Sequence, residues 1–184
     1  MIEAELKARV PDPAALRRRL KRLAAEEATL YRDTYYDTPG RDLAAAGREL
    51  RVRVVETAGT RRALLTYKEP PADQASQSKP EHETVIASPG VIDVILSALG
   101  LRHLVAFDKH CLNFRFAAHG RDILATLVTV PEIDGTFIEL EAMADEPDLL
   151  AALADLRAVL GELGLSEEDL TTEQYTDAVM RTRA

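Results

Sequence analysis

The stretch from Ile2 to Val10 reads I-E-A-E-L-K-A-R-V. In an extended segment Ile2, Ala4, Leu6, Ala8 and Val10 share one face, and Glu3, Glu5, Lys7 and Arg9 share the other, because strand side chains alternate. Alternation this strict predicts a strand with one buried face. The polar face sets two carboxylates beside two cations. One such face alone is an ordinary solvated sheet face. The mixture recurs in later strands, so the chain must collect its apolar faces on one side of a sheet and its charged faces on the other.

The later segments follow the same logic. Pro11-Asp12-Pro13 opens a helix, with Asp12 placed to cap it and Pro13 in its first turn. Leu16, Leu20 and Leu23 form its expected buried stripe. A second strand is expected over Leu30 to Asp37, broken by Thr38-Pro39-Gly40. A third, Glu49 to Val55, sets Arg51 and Arg53 opposite Leu50, Val52 and Val54. Ala58-Gly59-Thr60 turns the chain into a fourth, Arg62 to Lys68, where Thr66 and Lys68 share a face. Pro70 to Ser78 reads as a polar, irregular loop. The fifth strand, Glu81 to Ile86, carries Glu81 and Glu83 on one face, with Pro80 at its start. Ser88-Pro89 begins a short helix, expected to turn Val91, Val94, Ile95 and Leu99 inward and to end at Gly100.

Leu104 to Ala117 and Asp122 to Val130 read as two strands joined at His119-Gly120. The last strand, Thr136 to Ala142, opposes Glu139 and Glu141 to Ile138, Leu140 and Ala142. A helix from Pro147 to Leu163 lines up Leu149, Leu153, Leu156, Leu160 and Leu163. Ser166 and Asp169 resemble a capping box, and Thr172 to Met180 is expected to be helical. About eight hairpin-connected strands with a few helices predict an α+β fold with an antiparallel sheet, which eight strands can close into a barrel.

Composition narrows the function. The 184 residues suit one domain or a tightly joined pair. A net charge of −8 argues against nucleic acid or an anionic membrane as the main partner. Cys111 is the only cysteine, so no intramolecular disulfide can form. No apolar run approaches membrane-spanning length, and Met1 leads directly into the first strand, so a soluble, cytoplasmic protein is expected. His82, His103, His110 and His119 show no metal-ligand spacing. P-loop, dinucleotide and nucleophile-elbow motifs are absent.

The charged strand faces hold the acids Glu3, Glu5, Glu81, Glu83, Glu139 and Glu141. They also hold the bases Lys7, Arg51, Arg53 and Lys68, with Lys79 and Lys109 as further candidates. If the apolar faces pack outward against the helices, these groups point into one wet lumen. Arg and Lys there would hold phosphate oxygens. The carboxylates would hold Mg²⁺ or Mn²⁺, hard ions that take oxygen ligands and bridge to phosphate.

Glu3-Ala4-Glu5-Leu6-Lys7 resembles the E-x-E-x-K signature of the CYTH superfamily, the triphosphate tunnel metalloenzymes. The likeness continues through Tyr35-Tyr36-Asp37-Thr38-Pro39, Leu50-Arg51-Val52-Arg53, Thr66-Tyr67-Lys68, Glu81-His82-Glu83, Lys109 and Gly135-Thr136-Phe137-Ile138-Glu139-Leu140-Glu141, in family order over nearly the whole chain. Tyr175 stands where such proteins often carry a C-terminal aromatic, and Arg41-Asp42-Leu43 looks most like the class IV adenylate cyclase branch.

The resemblance implies a closed eight-stranded antiparallel β-barrel with flanking helices, as a single domain over residues 1–184. It implies a metal-dependent enzyme that cyclises ATP or hydrolyses a triphosphate such as thiamine triphosphate or inorganic triphosphate. The alternative is a non-catalytic module that binds a phosphorylated ligand; a homodimer is open in either case. The implied site has Lys7 and Lys109 as catalytic groups and Arg51, Arg53, Lys68 and Lys79 on phosphate. Glu3, Glu5, Glu81, Glu83, Glu139 and Glu141 are the implied metal ligands. Three positions depart from the family pattern. Lys79 stands for an arginine, Cys111 for the second cation of a K-x-R run, and Thr129 for a metal-binding aspartate of the seventh strand. Arg115, with Glu132 or Asp134, is a candidate to compensate.

Overall fold

The computed structural model describes residues 2–184; Met1 lies outside them. Eight strands, β1 (Ile2–Arg9), β2 (Glu27–Asp37), β3 (Glu49–Thr57), β4 (Thr60–Lys68), β5 (Lys79–Ile86), β6 (Arg102–Ala118), β7 (Arg121–Thr129) and β8 (Phe137–Ala144), form the wall. The helices are α1 (Pro13–Leu23), α2 (Asp42–Ala45), α3 (Pro89–Ala98), α4 (Leu149–Glu162) and α5 (Tyr175–Arg183). The strands close in the order β1-β5-β4-β3-β2-β6-β7-β8, every neighbour antiparallel. His119 and Gly120, both at positive φ, make the tight β6–β7 turn, a conformation that suits the twist of a hairpin.

The main apolar core lies outside the barrel. The outward faces of β1 and β8 give Ala4, Leu6, Ile138 and Leu140, which pack with Leu16 and Leu20 of α1 and with Leu153, Leu156 and Leu160 of α4. Asp12 caps α1 through the Ala15 amide at 2.9 Å. Because Leu156 is fully buried between sheet and helix, Leu156→Ala is expected to destabilise the fold by about 2–5 kcal/mol. Chemical denaturation measures this loss; a value below about 0.5 kcal/mol, the scale of a surface change, would contradict the packing.

Helix periodicity did not select the buried residues everywhere. Leu23 is exposed, and Val91, Val94 and Ile95 of α3, with Leu99 just after it, are between 47% and 73% exposed. Leu96 is buried instead, in a cluster with Tyr36 and Val52 that Ile92 also joins. α3 is apolar nearly all round, so its spacing cannot say which face meets the sheet. The C-terminal helix also starts later than expected. Before it, Leu170 bridges to Ala8, and the Thr171 amide donates to the Lys7 carbonyl at 2.9 Å. This segment therefore covers the edge of β1 that β5 leaves free, since β5 meets β1 only at Ile2 and Glu3.

The Tyr-Asp-Thr-Pro turn has a structural cause. Buried Asp37 accepts hydrogen bonds from the amides of Thr38, Leu43 and Ala44 at 2.7, 2.9 and 3.0 Å, holding the loop and α2 against the end of β2.

Candidate functional site

The charged faces meet in a tunnel of about 190 Å³ through the barrel. All twelve charged residues singled out in the sequence line it. Alternation is why: in β1, β3, β4, β5, β6 and β8 each of them occupies the face opposite the outward apolar residues.

Within the tunnel the acids divide into two groups. Glu3, Glu5 and Glu141 each offer a carboxylate oxygen, and these oxygens lie within 4.8 Å of one another. Register brings them together, since Glu141 stands opposite Glu5 across the β1–β8 ladder and Glu3 lies two residues along the same inner face. Burial, and then Glu3, Glu5 and Glu139, push the Glu141 carboxyl well above its usual range. Burial likewise raises Glu3, against the pull of Lys68. Three crowded, undercompensated carboxylates are a donor set that fits a hard divalent ion.

Of the other three acids, two pair closely with lysines and the third bonds a hydroxyl. Lys109 donates to both oxygens of Glu139 at 3.0 and 3.1 Å. Although burial raises the Glu139 carboxyl, Lys109 and Lys7 bring it below its usual value. Glu81 pairs with Lys68 at 2.8 Å, and Glu83 accepts from the Thr66 hydroxyl at 2.9 Å.

The cations are unequally occupied. Arg53 donates through Nε and Nη2 to Asp33, both bonds 2.7 Å, and its guanidinium lies 4.3 Å from the Tyr31 ring. Lys79 pairs with Glu49, and Lys68 reaches Glu3 at 3.3 Å as well as Glu81. Arg51 is the least satisfied. Its nearest carboxylates stand at 3.9 Å, Thr66 accepts from Nη2 at 3.3 Å, and its buried Nε has no partner among the described residues.

Lys7 donates to the Glu173 carbonyl. Lys7 and Lys109 each place their ammonium 4.5 Å from the centre of the Tyr175 ring. Burial pushes the Lys7 ammonium down, with Glu139 opposing. Burial acts the same way on Lys109, but there Glu139 prevails and raises it. These two lysines therefore have different electrostatic surroundings.

Several wall residues went unnamed in the sequence reading. Asp33 and Glu49 share strand faces with Tyr31 and Arg51, so alternation could have placed them; nothing local shows that they neutralise Arg53 and Lys79. Arg62 also lines the tunnel.

The departures resolve by strand face. Thr129 pairs with His110 and is exposed. It stands on the outer face, because the inward residues of β7 are Leu124 and Thr126, which line the tunnel. Cys111 does face inward, buried beside Val128 and Phe137, and burial pushes its thiol up to about 12. Arg115 pairs with inward-facing Leu124, whereas Glu132 binds Arg183 at the surface.

The sequence profile of the CYTH domain matches residues 1–175. The adenylate cyclase CyaB of Aeromonas hydrophila is 32% identical over 182 residues, covering 94% of this chain and 86% of that protein. Among solved structures, the PH1819 protein of Pyrococcus horikoshii OT3 superposes with a TM-score of 0.84 at 24% identity, over 98% of this chain and 99% of its own. A candidate adenylate cyclase of Vibrio parahaemolyticus superposes with a TM-score of 0.80 at 26% identity, over 98% of both chains.

Proposed function

The chain belongs to the CYTH domain family, and from that premise we propose that its tunnel binds a triphosphate compound with Mg²⁺ or Mn²⁺ and promotes attack on one of its phosphoryl groups. Residues 1–184 are read as one domain built for that task. The observation that carries the reading is a single lumen holding both the crowded Glu3, Glu5 and Glu141 carboxylates and a buried Arg51 whose Nε lacks a partner. The first set carries more negative charge than Lys68 offsets, and the second has a buried donor without an acceptor. A divalent ion with a polyphosphate answers both.

Glu3, Glu5 and Glu141 would hold the ion, which when bound supplies charge compensation at phosphate oxygens. Arg51 contributes its free donors to phosphate, and Arg53 keeps Nη1 available beyond its bonds to Asp33. Lys68, Lys79 and Lys109 add positive charge along the wall. Fixed charges of this kind provide most of the stabilisation in phosphoryl transfer. Lys7, tethered to the Glu173 carbonyl, orients the reacting group. Likeness to the Aeromonas adenylate cyclase favours cyclisation of ATP. In that reaction the 3′-oxygen bonds to the α-phosphorus, pyrophosphate leaves, and the hydroxyl proton passes to solvent.

The test is product identity. ATP, thiamine triphosphate and inorganic triphosphate are each supplied with Mg²⁺ or Mn²⁺, and cyclic nucleotide, pyrophosphate and phosphate are read together. Cyclic AMP with pyrophosphate supports the cyclase. Phosphate alone turns the assignment to a hydrolase. Binding without product turns it to a binding module, and no binding of any triphosphate removes the tunnel reading.

Arg51→Ala is expected to weaken inorganic triphosphate binding by about 1.5–3 kcal/mol, the range for a hydrogen bond to a charged group. Titration calorimetry measures it. A loss under about 0.5 kcal/mol would mean that Arg51 does not reach the ligand.

A further inference from the structure

We propose that Tyr175 is a positioning residue whose hydroxyl acts only when substrate is bound: as Lys109 turns from Glu139 to a phosphate oxygen, Tyr175 donates to Glu139 in its place. This rests on the triphosphate reading of the tunnel. Tyr175 opens α5 and lines the tunnel, with its ring edge-on to Phe137 at 5.4 Å. The Lys7 and Lys109 ammoniums each lie 4.5 Å from the centre of that ring.

The Tyr175 hydroxyl is buried and has no hydrogen-bond partner among the described residues. A buried hydroxyl left unbonded costs free energy, so its presence calls for a reason. Glu139 is its charged neighbour. Burial, and then Glu139, push the phenol well above its usual range, so the hydroxyl keeps its proton and stays a donor. In the free protein Lys109 serves both oxygens of that carboxylate, at 3.0 and 3.1 Å.

Counting donors shows what a ligand changes. Glu139 lies two residues from Glu141 on the inner face of β8, about 7 Å along the strand. A phosphate chain held by an ion at Glu141 therefore comes within reach of Lys109. An ammonium has three N–H groups; Lys109 spends two on Glu139, and to meet the phosphate it gives up at least one of them. Glu139, which is buried, is then a charge short of a donor. Its cross-strand neighbours do not fill the place. Lys7 stands opposite it and is committed to the Glu173 carbonyl. Thr126 stands opposite it on the other side and donates to Asn113 at 3.0 Å. The unspent Tyr175 hydroxyl is the donor that remains, and bonding Glu139 also relieves its own unbonded burial.

The test is Tyr175→Phe, which keeps the ring and removes only the hydroxyl. Without ligand its melting temperature should equal or exceed that of the unaltered protein, because the variant no longer buries an unbonded hydroxyl. Its affinity for inorganic triphosphate with Mg²⁺, read by titration calorimetry, should fall about tenfold, the scale of leaving a buried charge short of one hydrogen bond. In a Glu139→Gln background, where glutamine keeps an acceptor for Lys109 but carries no charge, the same change should cost less than about twofold, the scale of a bland substitution. Unchanged triphosphate affinity in Tyr175→Phe would overturn the proposal. So would a melting temperature lowered without ligand, since the hydroxyl would then already bond Glu139 in the free protein. A tenfold loss repeated in the Glu139→Gln background would also overturn it, by placing the hydroxyl on the phosphate itself. If Arg51→Ala weakens triphosphate binding and Tyr175→Phe does not, this proposal alone falls; if the unaltered protein binds no triphosphate, the tunnel reading beneath it falls first.

Discussion

Glu141→Gln is expected to abolish Mg²⁺-dependent stabilisation of the protein and to lower any turnover by roughly 100-fold or more, the scale of losing a metal's charge compensation. The same variant should be more stable than the unaltered protein when metal is removed. Both effects have one cause. Glu141 is held beside Glu3 and Glu5, and burial together with those neighbours raises its carboxyl well above the ordinary 4.5.

A raised carboxyl binds its proton more tightly in the folded chain than in the unfolded one. Its contribution to stability is therefore full at low pH and is lost as pH rises through the folded value. Glutamine cannot ionise and escapes that loss. In metal-free buffer the melting-temperature advantage of Glu141→Gln should grow from near zero at pH 4.5 toward neutral pH. Added Mg²⁺ should raise the melting temperature of the unaltered protein only. A variant that still responds to Mg²⁺ would sink the assignment of the triad as the metal site.

Asp33→Ala is expected to destabilise the fold by about 3–5 kcal/mol, because it leaves the Arg53 guanidinium buried without its partner. Asp33 is almost fully buried and accepts both Arg53 bonds at 2.7 Å. Burial works against its charge, yet Arg53 prevails and holds the carboxyl at about 2. A depressed carboxyl contributes stability above its unfolded pKa, which is lost as pH falls through the folded one. The unaltered protein should thus shed this contribution between pH 3.8 and about 2, whereas Asp33→Ala shows no such loss from this pair. Inorganic triphosphate should also raise the melting temperature of Asp33→Ala more than that of the unaltered protein, since a phosphate oxygen can replace the missing carboxylate at Arg53. Denaturation across pH, with and without the ligand, checks both. A loss below about 1 kcal/mol would mean that the pair is solvated and easily replaced.

The alternation of β1 and β8 identified which side chains face the tunnel, and the mixed charge on those faces indicated a wet lumen. Glu3, Glu5, Glu139 and Glu141 all point inward, and Ala4, Leu6, Ile138 and Leu140 outward, because the two-residue period is a local property of the strand. The α4 leucine stripe was legible for the same reason, because Leu149, Leu153, Leu156 and Leu160 recur at helical spacing while small alanines fill most of the opposite face.

Pairing within the tunnel was not legible. Lys68 meets Glu3 across 65 residues of sequence, Lys109 takes Glu139 out of the acidic cluster, and Asp33 binds Arg53. These choices depend on inter-strand register and on how the closed sheet staggers its strands. Thr129 illustrates how sensitive that is: one residue along a strand moves a side chain to the other face. The exposed side of α3 was hidden because an all-apolar helix carries no directional signal. The sequence by itself determined the barrel's charged interior and its family, since both rest on local periodicity and ordered motifs. Only the tertiary structure separated the three carboxylates that a metal can claim from Glu81 and Glu139, which lysines already neutralise, because charge compensation is set by distance in space and not along the chain.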